Sequence, residues 1–242
     1  MSENLLLAAL PKAERERLDP FLEVVQLKAH QELIAPNEPI TNMYFPYDAV
    51  TSTVQEMSDG SIIETGLMGV EGLVGIQLWL RSRTTPSRTL VQVPGRAHRM
   101  SADDFIREVM ERPSPLNELS ARYAHAFLVM TSQVAACNRL HSLDERMCRW
   151  LSLVQNRVQR TEFPLRQDFM AQMLGVHRGT VSITASILQK AGFISYSRGQ
   201  MKILDPDGLR EGSCECLGIM ERQFDQIFDR SWQEFAKQEA EE

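Results

Sequence analysis

At 242 residues, 43% of them hydrophobic, the chain can bury a sizeable core and form two domains. Its apolar runs are far too short to cross a bilayer, which argues against a membrane-spanning protein. The net charge of −6 is uneven: residues 139–202 hold ten Lys and Arg against four acids, leaving −12 for the rest.

The opening segment, MSENLLLAALPKAERERL, has early acids and neither a basic n-region nor a small-residue cleavage site. It reads as a short amphipathic helix ending near Pro11, not as a signal peptide. With four cysteines and no export signal, the composition fits a reducing cytoplasm better than a disulfide framework. From about Val24 to Arg99, β-prone segments alternate with turn signals: VVQLKA, APNEP, MYFPYDAVTSTVQEM, SDG, SIIETGLMG, then RTLVQVPG with AHRMS. Strands of this length and spacing predict an antiparallel barrel or jelly roll. Ser101-Ala102-Asp103-Asp104 caps a short helix through Val109, which Pro113 and Pro115 interrupt.

A long helix is predicted from Leu116. Leu116, Tyr123, Met130 and Cys137 recur every seven residues; Leu119, Ala126 and Leu140 share a second register, and Phe127, Val134 and His141 flank them. So wide a stripe suits packing on the chain's own barrel and on a twin helix, although a single buried core helix would show the same periodicity. Leu116, Tyr123, Phe127, Met130, Val134 and Cys137 are accordingly the predicted dimer interface. Another helix follows from about Leu143 to Arg160, with Trp150, Leu151 and Val154 on its apolar side.

The segment QDFMAQMLGVHRGTVSITAS, Gln167 to Ser186, reads as a helix-turn-helix. Ala171 is small where two helices must approach, and Gly175 falls where the turn favours a left-handed backbone. Met170, Leu174, Val176 and Val181 pack the second helix on the first. That helix offers His177, Arg178, Thr180 and Ser182 near its N-terminus, the end that enters a major groove in this motif. An ordinary helical hairpin is the plainer reading of these twenty residues, but the chain beyond Ser186 argues against it. Ala191-Gly192 stops the helix, and FISYS and QMKIL flank Arg198-Gly199 as a hairpin, which completes a winged helix-turn-helix. The basic balance of this stretch matches a phosphate-binding surface. Gln167, His177, Arg178, Thr180, Ser182, Arg198 and Lys202 are the predicted DNA contacts.

The predicted class is α+β, in four parts: a barrel over 1–112, a dimerisation helix over 113–141, a winged helix-turn-helix over 142–206, and a C-terminal amphipathic helix with an acidic tail over 207–242. The tail helix presents Leu217, Met220, Phe224, Phe228, Trp232 and Phe235 on one face. It is read as docking on its own DNA-binding domain or linker helix, with partner binding as the alternative.

This order of parts resembles the Crp/Fnr superfamily of bacterial transcription regulators over nearly the whole chain. The resemblance implies a cytoplasmic homodimer that binds double-stranded DNA at paired half-sites and works with RNA polymerase. In that family the recognition helix commonly reads Arg-Glu-Thr-Val, then a small residue and a second Arg. The matching positions here are Arg178, Gly179, Thr180, Val181, Ser182 and Ile183. The guanine-contacting Arg is kept, while the acid and the second Arg are lost, so the role carries over and the usual half-site does not. GLVGIQLWL from Gly72, with RTLVQ from Arg88, resembles the family's phosphate-binding cassette. Gly75 matches the cassette glycine, but Ile76 stands where a Glu would hold the ribose hydroxyls, so no response to cyclic AMP is expected. Gly75, Ile76, Arg88 and Thr89 are the effector-pocket candidates; Arg88 reads equally as a phosphate ligand and as a surface or structural arginine.

No catalytic residue, metal ligand or cofactor is assigned; a redox or metal role for Cys137, Cys214 and Cys216 and haem binding through scattered residues stay as alternatives. The family's iron–sulfur members carry an N-terminal cysteine cluster, and no Cys precedes Cys137. Cys214-Glu215-Cys216 is shorter than the usual zinc spacing, and Cys137 and Cys148 read as small buried hydrophobes. His30, His98, His125, His141 and His177 show no paired ligand spacing. An enzyme on a cupin-like barrel would need clustered metal ligands, which the sequence does not display. A ligand-binding module with no DNA role would have no use for the helix-turn-helix.

Overall fold

A computed structural model describes residues 3–229. The N-terminal region has two short helices, α1 (Leu5–Ala8) and α2 (Lys12–Leu18), then strands β1 (Glu23–Leu27), β2 (Glu32–Ile34), β3 (Asn42–Pro46), β4 (Val50–Glu56) and β5 (Ile62–Met68). A single helical turn, α3 (Ile76–Trp79), precedes β6 (Arg88–Val93), β7 (Gly95–Ser101) and α4 (Ala102–Phe105). All pairings are antiparallel, in two sheets ordered β1-β7-β3 and β2-β6-β4-β5. This is the predicted jelly-roll arrangement, made as two sheets around one apolar core that includes Phe45, Val54, Leu67, Val91 and Ala97. Asn4 ties the N-terminus to it: its side chain caps α1 and donates to the Pro46 and Gly72 carbonyls at 2.8 and 2.7 Å.

Helix α5 (Pro115–Leu140) runs 26 residues, about 39 Å at 1.5 Å per residue. Its apolar stripe is buried within the one chain, which leaves the predicted dimer-interface residues little surface of their own. Leu116, Tyr123, Met130 and Cys137 are at most 1% exposed, Val134 is buried and Phe127 half-buried. Tyr123 lies so close to Gly72 that a β-carbon there would fall 2.3 Å from its ring. Phe127 covers Gly66 on β5 in the same way, and the Tyr123 ring also meets Phe224, 6.2 Å between centroids. A seven-residue repeat reports that a face is buried and says nothing of what covers it. The face left open carries Ala121, His125, Leu128, Ser132 and Ala135, with Leu128 64% exposed.

Helix α6 (Leu143–Val158) starts at a capping box in which Ser142 and Glu145 satisfy each other's backbone N–H groups. The chain continues through β8 (Glu162–Pro164), α7 (Gln167–Leu174), α8 (Arg178–Lys190), β9 (Ile194–Ser197), β10 (Gln200–Ile203), α9 (Pro206–Glu211) and α10 (Cys216–Asp225). Helix α10 buries Leu217, Met220 and Phe224 against α5 and α6, and Phe228 packs beside them; Trp232 and Phe235 lie outside the described residues. Among the described residues no helix is long and apolar enough to cross a membrane.

Two buried polar links fasten α6 to the barrel. Trp150 Nε1 donates to Glu64 Oε1 at 2.9 Å, and Arg157 Nε to Glu71 Oε1 at 2.7 Å. Burial pushes the Glu64 carboxyl up to about 7, against the opposing pull of bonds from Ser52 and Trp150 and the charges of Arg149 and Arg157.

Candidate nucleic-acid interface

Helices α7 and α8 pack through Met170, Ala171, Leu174, Val181, Ala185 and Leu188, all buried. Gly175 ends α7 in the left-handed region at φ 63°, where its missing β-carbon also leaves room for Ile63 of β5. His177 is the N-cap of α8, so it stands at the mouth of the helix and not on its reading face. Arg178, Thr180 and Ser182 are exposed in the first turns, where unpaired N–H groups and the helix dipole favour phosphate. The same face carries Ile183 and Ile187, 65% and 46% exposed, apolar groups of the kind that contact thymine methyls. The space around Gly179 is open, so packing does not require glycine there.

The wing is three-stranded. β10 pairs with β9 and also with β8, so Phe163-Pro164 is part of the wing sheet as well as the lead-in to the helix-turn-helix. Its hairpin turns through Arg198 and Gly199 at φ 51° and 78°, and both Arg198 and Lys202 are exposed. A cleft between helix starts and wing is lined by Arg166, Gln167, Asp168, Arg178, Tyr196, Arg198 and Gly199. Gln167, Arg178 and Arg198 thus meet at one place, while Lys202, His177, Thr180 and Ser182 lie outside that lining. Sequence reasoning missed Arg166 and Tyr196. Arg166 holds Asp168 in a two-pronged ion pair at 2.6 and 3.0 Å, which raises the guanidinium pKa and lowers that of the carboxyl. Arg166 precedes α7 and carried a sequence signal only as one cation in the basic stretch.

Thr180 and His177 also border a groove whose other wall is the β4–β5 hairpin, Met57 and Gly60 to Ile63. The barrel therefore reaches the turn of the helix-turn-helix. His30 adds an edge contact with the Phe169 ring at 5.3 Å, and Arg146 donates to the Leu174 carbonyl.

The effector-pocket candidates are placed differently. Ile76 is buried, and Gly75 caps α3 against Met43 and the Asn42 carbonyl. Thr89 is buried with its hydroxyl 3.3 Å from that of Thr53. Arg88, the candidate phosphate ligand, forms ion pairs with Glu32 at 2.8 Å and Glu56 at 3.2 Å on the strands to either side. A guanidinium already neutralised by two carboxylates has little charge to offer a cyclic phosphate.

The cysteines depart further from expectation. Cys137, Cys214 and Cys216 converge with His141, although the sequence predicts no metal-ligand set. The available signal is Cys137-X-X-X-His141, one helical turn apart; its partners lie over 70 residues away.

A Crp-like helix-turn-helix domain model matches residues 145–211. No curated protein has a matching sequence. Among solved structures, FixK2 from Bradyrhizobium japonicum is similar at 12% identity, over 80% of this chain and 98% of that one, with TM-score 0.66. A CRP-family transcriptional regulator from Thermus thermophilus is similar at 14% identity, 78% and 96% coverage and TM-score 0.63. The c-di-GMP-responsive global regulator CLP from Xanthomonas campestris is similar at 15% identity, 80% and 99% coverage and TM-score 0.61. Residues 145–211 thus match a Crp-like helix-turn-helix domain, and about four-fifths of the chain shares the fold of Crp/Fnr-family structures.

Proposed function

We propose that the protein is a sequence-specific transcription regulator, not an enzyme, that binds paired DNA half-sites as a homodimer in the cytoplasm. The observation that carries this is the outer face of α8. Arg178, Thr180, Ser182 and Ile183 stand in solvent, while the inner face of the same helix is fully packed. Arg178 reads a base edge in the major groove; Arg198 and Lys202 on the wing, with Gln167, hold phosphates, while Arg166 is engaged by Asp168. The chain divides into four parts at 112, 141 and 206, with RNA polymerase as the further partner.

The twin helix meets α5 on its open face, through Ala121, Leu128 and Ala135, because the stripe through Met130 is already covered. Small residues there let two helices approach closely. Cyclic AMP is not the effector, since Ile76 offers no ribose acceptor and Arg88 is bound to Glu32 and Glu56. A gel shift on the gene's own upstream region, at low and moderate salt, tests the reading. A retarded band that is competed by specific DNA and weakens steeply with salt is expected, and a salt-insensitive or absent shift would sink it.

A further inference from the structure

Four side chains with no part in the DNA interface meet at the C-terminal end of α5. Cys137 is on the helix, His141 is its C-cap, Cys214 comes from the turn between α9 and α10, and Cys216 is the first residue of α10. The Cys137 and Cys214 sulfurs are 3.5 Å apart, and Cys216 Sγ is 3.6 Å from His141 Nδ1. All four ligating atoms lie within 4.8 Å of one another. Around a tetrahedral zinc, with Zn–S about 2.3 Å and Zn–N about 2.0–2.1 Å, adjacent ligand atoms sit roughly 3.4–3.8 Å apart. Both of these pairs already have that separation, and the remaining ligand atoms, none more than 4.8 Å apart, need only small side-chain rotations. Such spacing suits one ion, whereas a cluster of several irons holds its ligands further apart.

The surroundings are those of a metal site. His141 Nε2, on the far side of the ring from the sulfur, lies 3.2 Å from Glu215 Oε2. That carboxylate fixes the tautomer that leaves Nδ1 free to ligate. Gln133 Nε2 donates to Cys216 Sγ at 3.1 Å. Arg146 and Arg149, 8% and 4% exposed, act electrostatically on these thiols, and each leaves its buried Nε without a hydrogen-bond partner. Their other side-chain bonds go to the Leu174 carbonyl and the Met220 sulfur, both uncharged. Neither bond supplies the arginines with a counter-charge. Three thiolates and a neutral imidazole around a divalent ion carry a net charge of about −1, which does.

We infer that Cys137, His141, Cys214 and Cys216 form a closed tetrahedral site for one zinc ion. Binding displaces three thiol protons to solvent and involves no oxidation. All four positions are protein ligands, so the site is structural and has no opening for a substrate. The ligand pairs bracket the whole helix-turn-helix unit in sequence, so the ion pins both ends of that domain at one point beside α5.

The test uses the full chain, purified under reducing conditions, and its readouts are independent of DNA binding, so it can fail without touching the proposed function. Elemental analysis should find about one zinc per chain. After zinc removal, cobalt(II) should give the intense visible bands of a tetrahedral ion with thiolate-to-cobalt charge transfer. Cys214→Ser and His141→Ala should lose the zinc, Glu215→Gln should weaken it by about 10-fold or more, and Cys148→Ser should keep it. Should Cys214→Ser fail to fold, chelation of the unmodified protein decides: its melting temperature should fall and recover when zinc is restored. Folded, reduced protein that takes up neither zinc nor cobalt would overturn the site. So would a metal-free Cys137–Cys214 disulfide as the stable form, or a brown, iron-bearing product.

Discussion

The two ends of the molecule treat the same residue type in opposite ways. At the DNA end, Arg178 and Arg198 stand in solvent around an open cleft. At the barrel end, Arg88 is held between Glu32 and Glu56, and the neighbouring candidates Ile76 and Thr89 are packed in the core. A site for an external ligand needs uncommitted charge and open surface. The winged helix presents both, whereas around Arg88 the cation is paired and its neighbours are packed away.

The largest expected effect probes the division between committed and open surface along α5. Met130→Glu places an unpaired charge against the barrel and should destabilise the chain by about 3–5 kcal/mol, read by urea denaturation. Leu128→Glu, on the open face, should change stability by less than about 0.5 kcal/mol yet yield monomers by light scattering. If Met130→Glu gives well-folded monomers instead, the covered stripe is the interface after all.

A somewhat smaller effect lies where the two ends join. Folded Glu64 holds its proton up to about pH 7, while in the unfolded chain the carboxyl ionises near its ordinary value of about 4.3. Between those values the folded state binds more protons, so stability falls as pH rises through the window and the loss is complete above it. The fall should be on the order of 3 kcal/mol between pH 4 and pH 8, and Glu64→Gln should flatten this contribution. An unchanged pH profile in Glu64→Gln would place the titration elsewhere.

At the DNA end, Arg178→Ala should cost about 1–3 kcal/mol on the specific site and relax preference at one base per half-site. Arg198→Ala or Lys202→Ala should weaken all sequences about equally and lower the salt slope by about one. Unaltered base preference in Arg178→Ala would remove α8 from the groove. Gly179→Glu, which restores the acid common in the family, should fold normally into its open space and shift the preferred half-site in a selection assay. The smallest effect is expected from cyclic AMP: no heat by calorimetry and no change in DNA affinity. Submicromolar binding abolished by Arg88→Ala would erase the contrast between the two ends.

How readable each part is in the sequence depends on how its residues are spaced. The helix-turn-helix is one continuous stretch from Gln167 to Lys190, and its turn, caps and outer face are local properties, so it can be read directly. The jelly roll announces itself by strand and turn chemistry, though β8 joins the wing through three residues with no periodicity to reveal them. On α5 the period is visible but its partner is not: Tyr123 and Met130 suit a twin helix by pattern, whereas β5, Gly72 and α10 cover that face. The Cys and His cluster is hardest, because Cys137 and Cys214 are 77 residues apart and only the docking of α10 on α5 brings them together.

The seam between the barrel and the winged helix has a consequence for how the protein comes apart. Ile63 fits the gap at Gly175 along the groove, while Trp150 bonds Glu64 and Arg157 bonds Glu71 in the interior. Opening this seam would strand a buried guanidinium and carboxylate and expose Ile63 along with the α7 end it covers. Neither half keeps a finished surface when the other leaves, so the two lose structure cooperatively. Calorimetry should accordingly record one melting transition for the chain, with the DNA reader as resistant to heat as the barrel it rests on.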